Sequence, residues 1–318
     1  MEKIRLGLVG AGAMAQEHLK VLTRLEEYTV VGLTSRTASK AQQLLGQFGL
    51  SCFYPSLDEL VSQAKPQALM ILVGEESMAQ VAAEAMRFGL PLFIEKPAGL
   101  TVQDNVRLAK QAKEKNVRTM VGYNRRYYSI FHKGLELLRS KGPLLGIAVE
   151  GHERMWRVRP IAKFSPTVLD HWMYANSTHT LDLLRFFGGD IEHVSAEGTR
   201  LHEKNGDQFA ATVKFRSGAV GTYQAHWYSP GGWRVVLYGE GITVEFKPLE
   251  SGRWIDRDFQ VHEITPDEVD VTFKPGLYQQ AKAFAQLVRT GKQEWPAVDV
   301  QGACETMRVA QTLLESVH

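Results

Sequence analysis

Apolar and polar positions follow two different rhythms along this chain. In the N-terminal part, short apolar runs are separated by segments with helical spacing. Residues 4–9 form an apolar run, and 14–25 repeats Met14, Leu19, Val21, Leu22 and Leu25 at helical intervals. Residues 29–34 are rich in β-branched side chains and 38–48 read as a helix. Residues 68–73 are continuously apolar, as befits a strand covered on both faces. Helix 78–88 stops at Gly89, and strand 92–95, helix 102–115 and strand 119–121 follow. This alternation predicts a parallel sheet wrapped by helices.

The rhythm changes near Tyr123. Helix 131–139 and strand 144–152 lead to one long helical pattern over 168–187, which ends at Gly188-Gly189. Alternating segments then cover 191–197, 208–215, 219–227, 233–238 and 242–246, with turn residues such as Asn205-Gly206 and Ser217-Gly218 between them, which predicts antiparallel hairpins. Helices 277–289 and 300–317 close the chain, and neither internal repeats nor low-complexity segments interrupt it.

Composition narrows the class. A chain of 318 residues exceeds one small domain, and 44% hydrophobic with 23% charged residues is the balance of a globular protein able to bury a core in each half. A net charge of +2 gives no reason to expect nucleic acid or an anionic membrane as partner. The two cysteines, Cys52 and Cys304, have no metal or disulfide spacing, and His152, His171, His179 and His226 show no metal spacing either, so reduced thiols and no metal are expected. No apolar run approaches the roughly 18 residues of a membrane span. Residues 4–13 run into a glycine-rich turn rather than a signal-peptide cleavage site, so a cytoplasmic location is expected.

The first strand ends in Gly10-Ala11-Gly12-Ala13-Met14-Ala15, the G-x-G-x-x-A variant of the dinucleotide fingerprint. Gly10 permits a tight turn, Gly12 lets the backbone approach a pyrophosphate, and Ala15 allows close helix–strand packing. The helix then offers its N-terminal N–H groups and positive dipole end to the phosphates. An NAD-specific site would carry a carboxylate at the end of the second strand. Here Thr34-Ser35-Arg36-Thr37, with Lys40 beyond, supplies hydroxyls and cations suited to a 2′-phosphate, so NADP(H) is expected, with NAD as the alternative if Arg36 and Lys40 are merely solvated. Glu95-Lys96-Pro97 follows the next-to-last strand of the first domain. Lys96 there is either a surface lysine or a proton-handling group at the nicotinamide end.

Together, these motifs with Gly122-Tyr123-Asn124-Arg125-Arg126, His179-Thr180-Leu181-Asp182 and Tyr238-Gly239-Glu240-Gly241 resemble the glucose–fructose oxidoreductase/inositol dehydrogenase/MocA (Gfo/Idh/MocA) family over essentially the whole chain. The resemblance implies a Rossmann NADP-binding domain over 1–123. A substrate-binding and oligomerisation α+β domain over 124–318 would follow, built on a large, mostly antiparallel sheet. The C-terminal helices are candidates to pack back on the first domain, and a homodimer or homotetramer would form through the sheet. It implies an oxidoreductase acting on the CH–OH or C=O group of a sugar, polyol or sugar acid. Lys96 would polarise the reacting oxygen and His179 would act as general base, a task that suits a group titrating near neutrality. Cofactor contacts are expected from Gly10, Ala11, Gly12, Ala13, Met14, Ser35, Arg36, Thr37, Lys40, Val73, Gly74, Glu95, Lys96, Pro97 and Asn124.

The chain also departs from that pattern. Ala175 stands where many members carry an aspartate four residues before the histidine, with Asn176, Tyr174 or Asp170 as possible substitutes. Val73-Gly74 replaces the usual Thr-Pro, and Met78 a frequent histidine. Asp182 is open to two readings, orienting His179 or making an inter-domain contact. Arg125 is a candidate substrate ligand, as are Arg154 and Trp156 in the basic stretch 154–159, which reads equally as a solvated loop or oligomer contact. Two other functions stay open: an NADP-binding sensor without turnover, and an enzyme that retains its cofactor with no net redox change.

Overall fold

The computed structural model describes residues 2–161 and 163–318. The chain forms two compact units, one made of residues up to Asn124 together with Thr272–Cys304, the other of Arg125–Val271 with Glu305–His318.

The first unit opens with β1 (Ile4–Val9), α1 (Ala13–Leu22), β2 (Tyr28–Thr34), α2 (Ala38–Gln47), β3 (Phe53–Tyr54), α3 (Leu57–Ala64), β4 (Ala68–Ile71), α4 (Glu75–Ala85), β5 (Leu92–Ile94), α5 (Val102–Glu114) and β6 (Thr119–Val121). All six strands pair in parallel in the order β3-β2-β1-β4-β5-β6, the doubly wound order of dinucleotide-binding sheets. Every residue of β4, β5 and β6 is buried, which is why these strands carry no polar alternation. The sequence pattern did not reveal α3. Its start is nonetheless encoded at its N-cap: the Ser56 hydroxyl accepts from the Glu59 backbone N–H at 3.2 Å and donates to the Glu59 carboxylate at 3.1 Å.

The second unit contains α6 (Ser129–Arg139), β7 (Leu144–Gly151), α7 (Met155–Val158), α8 (Pro166–Asp170), a π-helical turn (Met173–Ser177) and α9 (Thr178–Gly188). After these come β8 (Ile191–Thr199), β9 (Gln208–Phe215), β10 (Val220–His226), β11 (Trp233–Gly239), β12 (Ile242–Phe246), β13 (Gly252–Ile255), β14 (Val261–Ile264) and α10 (Glu268–Thr272). The strands form one eight-stranded sheet, β14-β13-β12-β11-β7-β10-β9-β8. Only β7 and β10 run parallel; the other neighbours are antiparallel. Strand β9 alternates buried and exposed side chains, so one sheet face is packed and the other open. Helices α6 and α9 supply the packing, with the Phe131 ring 4.6 Å from that of Phe246 and 5.3 Å from that of Phe187.

The continuous helix expected over 168–187 is broken. Helix α8 ends at Asp170 with His171 as its cap, and a wide π turn then precedes α9. The wide turn coincides with side-chain bonds from Asn176 and Ser177 to the buried Glu153, each 2.8 Å long. Helix α9 is buried at every position except Arg185, and Asp182 inside it is bound by a two-pronged ion pair. Arg126 Nε and Nη2 donate to its two oxygens at 2.6 and 2.8 Å, and the Thr306 hydroxyl adds a third bond at 3.1 Å. Of the two readings of Asp182 from sequence, neither describes this role: the carboxylate anchors α9 within its own unit.

The remaining helices are α11 (Leu277–Thr290) and α12 (Val300–Glu315). Helix α11 belongs to the first unit, where the Tyr28 hydroxyl donates to the Ala281 carbonyl at 2.6 Å. The first residues of α12 also belong there: the Val300 N–H donates to the Thr119 hydroxyl, and the Val121 N–H to the Val298 carbonyl. From Glu305 onward α12 is part of the second unit.

Removing one partner of a buried ion pair leaves the other uncompensated. Asp182→Ala is therefore expected to destabilise the second unit by about 3–5 kcal/mol in a urea titration. A loss below about 1 kcal/mol would mean that Arg126 finds water instead.

Candidate cofactor and substrate sites

In the first unit, the sequence-predicted cofactor residues lie at or just past the carboxyl ends of the parallel strands, except Lys40, which lies in α2. Gly10 to Met14 follow β1, Ser35 to Thr37 follow β2, Val73-Gly74 follow β4, Glu95-Lys96-Pro97 follow β5, and Asn124 follows β6. Backbone bonds tie these exits together: Gly10 N–H to Thr34 O, Leu72 N–H to Val9 O, Glu95 N–H to Ile71 O, and Gly122 N–H to Ile94 O.

The glycine turn fits a diphosphate. Gly10 has φ +112°, and a Cβ there would stand 2.5 Å from the Leu72 carbonyl oxygen, so only glycine serves. Gly12 caps α1 without a side-chain bond, the first turn carries no acidic residue, and a Cβ on Gly12 would meet nothing within 4 Å. The helix thus leaves its first N–H groups facing open space, the arrangement that accepts a phosphate. Beyond β2, Ser35 is half-buried, whereas Arg36, Thr37 and Lys40 are exposed. Among the described residues, Arg36 and Lys40 have no ion-pair partner. Helix α2 is capped by Thr37 without a side-chain bond or an acidic first turn.

Two residues behave differently from expectation. Glu95 turns its carboxylate inward, is 5% exposed, and meets His18 Nε2 at 3.1 Å. Asn124 is buried, and its amide donates to the Pro275 carbonyl at 2.9 Å, fixing the segment that leads into α11. Lys96 is half-buried, and the Lys96–Pro97 peptide is cis.

In the second unit His179 is 7% exposed, and its ring lies 5.9 Å from that of Trp233. The Arg125 guanidinium stacks 4.5 Å above the same indole. Histidine, indole and guanidinium thus gather at the start of α9 and β11, a grouping with proton-transfer, stacking and anion-binding capacity. From sequence, Trp233 and Trp172 are open to two readings, stacking on a sugar or ordinary packing in a core or subunit interface. Glu153, two residues past β7, is a buried carboxylate near this group that the sequence pattern did not single out. It binds Asn176 and Ser177 just ahead of His179. Of the residues considered as substitutes at Ala175, Asn176 is bonded to Glu153 and Asp170 pairs with Lys204 on the surface at 2.6 Å. Tyr174 keeps its phenol, pushed by burial up to about 12.

Arg154 and Trp156 are exposed at the start of α7. Arg159, at the other end of that basic stretch, is committed to Glu203: its Nε donates to one carboxylate oxygen at 2.6 Å and its Nη2 to the other. The Tyr228 hydroxyl adds a bond at 2.7 Å. Next to it, Asp207 accepts the backbone N–H groups of His202 and Glu203 at 2.5 and 2.6 Å. Burial pushes both carboxyls up, but the bonds from Arg159 and Tyr228 to Glu203, and from Gln208 and the backbone to Asp207, outweigh it and hold both below their ordinary ranges. No group of three or more metal-ligating side chains occurs among the described residues, and none of their helices is long and apolar enough to cross a membrane.

The strand order and the glycine turn define the class as a Rossmann-type dinucleotide-binding unit carrying a second, sheet-based unit. The comparisons specify it further. Residues 4–123 match the oxidoreductase family with an NAD-binding Rossmann fold, and residues 149–245 match the GFO/IDH/MocA C-terminal domain. The chain belongs to the Gfo/Idh/MocA family. It is 22% identical to a 4-carboxy-2-hydroxymuconate-6-semialdehyde dehydrogenase of Sphingobium, over 91% of this chain and 92% of that one. To the myo-inositol 2-dehydrogenase of Thermotoga maritima it is 23% identical, over 93% and 90%. In fold it resembles an oxidoreductase from Agrobacterium radiobacter, solved with NAD+, L-tartaric acid and magnesium, at TM-score 0.82 and 14% identity, covering 99% of this chain and 96% of that one.

The depressed carboxyls carry a sign. Their stabilisation is complete above the unfolded range of about 4 and is lost as pH falls through the lower folded values. Asp207→Asn should therefore lower stability near pH 7 and flatten its dependence between about pH 5 and pH 2, as read by urea unfolding at each pH. A profile parallel to that of the unaltered protein would refute this account of the 201–207 turn.

Proposed function

We propose that this protein transfers a hydride between NADP(H) and the CH–OH or C=O group of a sugar, polyol or sugar-acid-like molecule. The observation that carries the cofactor half is the end of β2. It offers Ser35, Arg36, Thr37 and Lys40, includes no carboxylate, and leaves two cations without ion-pair partners among the described residues. A ribose 2′-phosphate answers that chemistry; a free 2′-hydroxyl does not require it. Relatives named as inositol and semialdehyde dehydrogenases support the reaction class.

When bound, the nicotinamide accepts or returns the hydride. Lys96 donates a hydrogen bond to the reacting oxygen. In the oxidative direction His179 accepts the hydroxyl proton as C–O becomes C=O, and in the reductive direction it returns that proton. Arg125, stacked on Trp233 beside His179, favours a substrate with a carboxylate or several hydroxyls. Glu153 holds the turn that presents His179, through Asn176 and Ser177. Ala175, buried and apolar, motivates the competing reading of a nucleotide-binding protein without turnover. The small-molecule partner and assembly through the open sheet face belong to the same proposal.

Parallel titrations with NADPH and NADH, followed by nucleotide fluorescence, test it. NADPH is expected to bind at least about tenfold more tightly, and Arg36→Ala to erase most of that margin, roughly 1–2 kcal/mol. Tighter NADH binding would overturn the cofactor assignment. A second check is turnover on a panel of sugars, polyols, sugar acids and aldehydes. There Lys96→Met and His179→Asn should each cost about 10²-fold or more in kcat, with nucleotide affinity changed far less for His179→Asn. Tight nucleotide binding with no turnover across the panel would favour the silent reading.

A further inference from the structure

We infer that His18 and Glu95 form a buried brace that positions the Lys96-Pro97 peptide relative to the phosphate-binding end of α1. The inference rests on the reading of the first unit as a nucleotide site.

His18 lies on the buried face of α1, five residues after Ala13, and is 1% exposed. Its Nε2 meets the Glu95 carboxylate at 3.1 Å across a sequence separation of 77 residues. Glu95 directly follows β5, two strands away from β1 in the sheet order. One side-chain bond therefore links the helix that opens at Gly12 to the strand end that carries Lys96. The carboxylate is confined from the other side as well. A Cβ on Gly122 would stand 2.8 Å from Glu95 Oε2 and 3.1 Å from its Cα, so a side chain where β6 leaves the sheet would displace the carboxylate. The His18 ring packs edge-on against Phe93, with centroids 5.2 Å apart, which fixes its plane.

Stability alone does not account for this pair. A carboxylate and an imidazole buried together cost desolvation that two apolar side chains would avoid. The His18 Nδ1 is buried without a hydrogen-bond partner, a further cost. What the polar pair supplies is a fixed length and direction between two backbone segments, which an apolar contact does not define. Glu95 and His18 are thus positioning residues, acting through Lys96 and Pro97.

The test uses two ligands of the full chain: NADPH, and 2′-phospho-ADP-ribose, which lacks the nicotinamide ring. The double variant His18→Leu/Glu95→Met replaces the brace by an apolar contact. It is expected to keep the thermal midpoint of the ligand-free protein within a few degrees, to raise the Kd for NADPH about tenfold, and to leave the Kd for 2′-phospho-ADP-ribose within twofold. His18→Gln retains a donor near the Nε2 position and should restore NADPH affinity to within about threefold of the unaltered chain. Gly122→Ala, which pushes on the carboxylate from the far side, should reproduce the selective loss. If the double variant weakens both ligands equally, or neither, the brace is structural only and the inference fails. If the double variant does not fold, the same comparison made with His18→Gln and Gly122→Ala decides. If the unaltered chain binds neither ligand, the parent reading of a nucleotide site fails, and the brace fails with it.

Discussion

Strand β1 leaves the sheet through a passage with no room for a side chain. The Gly10 α-carbon runs against the Leu72 carbonyl, in a backbone conformation that other residues rarely adopt. Much of the cofactor edge follows from that approach. It brings the exits of β1 and β4 together, with Leu72 bonded to Val9, and turns the chain so that α1 begins at Ala13 with its N–H groups uncovered. It also places Thr34 against Gly10, so that Ser35 and Arg36 emerge beside the same turn.

The second unit solves a different problem. A large sheet with one packed face needs helices whose positions do not drift, and α9 is buried nearly all round. Apolar contacts alone would allow such a helix to slide. The Arg126–Asp182 pair and the Glu153 bonds to Asn176 and Ser177 fix its rotation and its start, and His179 lies between those two anchors in sequence.

Elements with long, one-rhythm patterns were legible in the sequence. Continuous apolar runs announced β1 and β4, and two-residue alternation announced β9 and β10. Several short elements were not: β3 has two residues, β13 and β14 four each, and such lengths carry no period, whereas the three-residue β5 and β6 were read from their place between helical segments. The break between α8 and α9 was invisible because a π turn preserves an apolar helical pattern while shifting its phase. That α11 joins the first unit follows from contacts such as Tyr28 to Ala281, which spacing does not reveal. The positions of the candidate site residues on glycine turns and strand ends could be read because that chemistry demands a fixed local context. Those of His18 and Glu153 could not, since each meets a partner distant in sequence. Glu95 lies at the strand end expected for it, and its burial against His18 is a contact that spacing does not reveal.

In the proposed site, the uncovered N–H groups after Gly10 receive the cofactor's phosphates. This is tested most directly by following backbone amide 1H–15N shifts while NADP+ is titrated into the deuterated protein. The account predicts the largest shifts at Gly12, Ala13 and Met14, with a second group at Ser35, Arg36 and Thr37. Saturating nucleotide that leaves these amides unmoved, or that moves a different set, would contradict it.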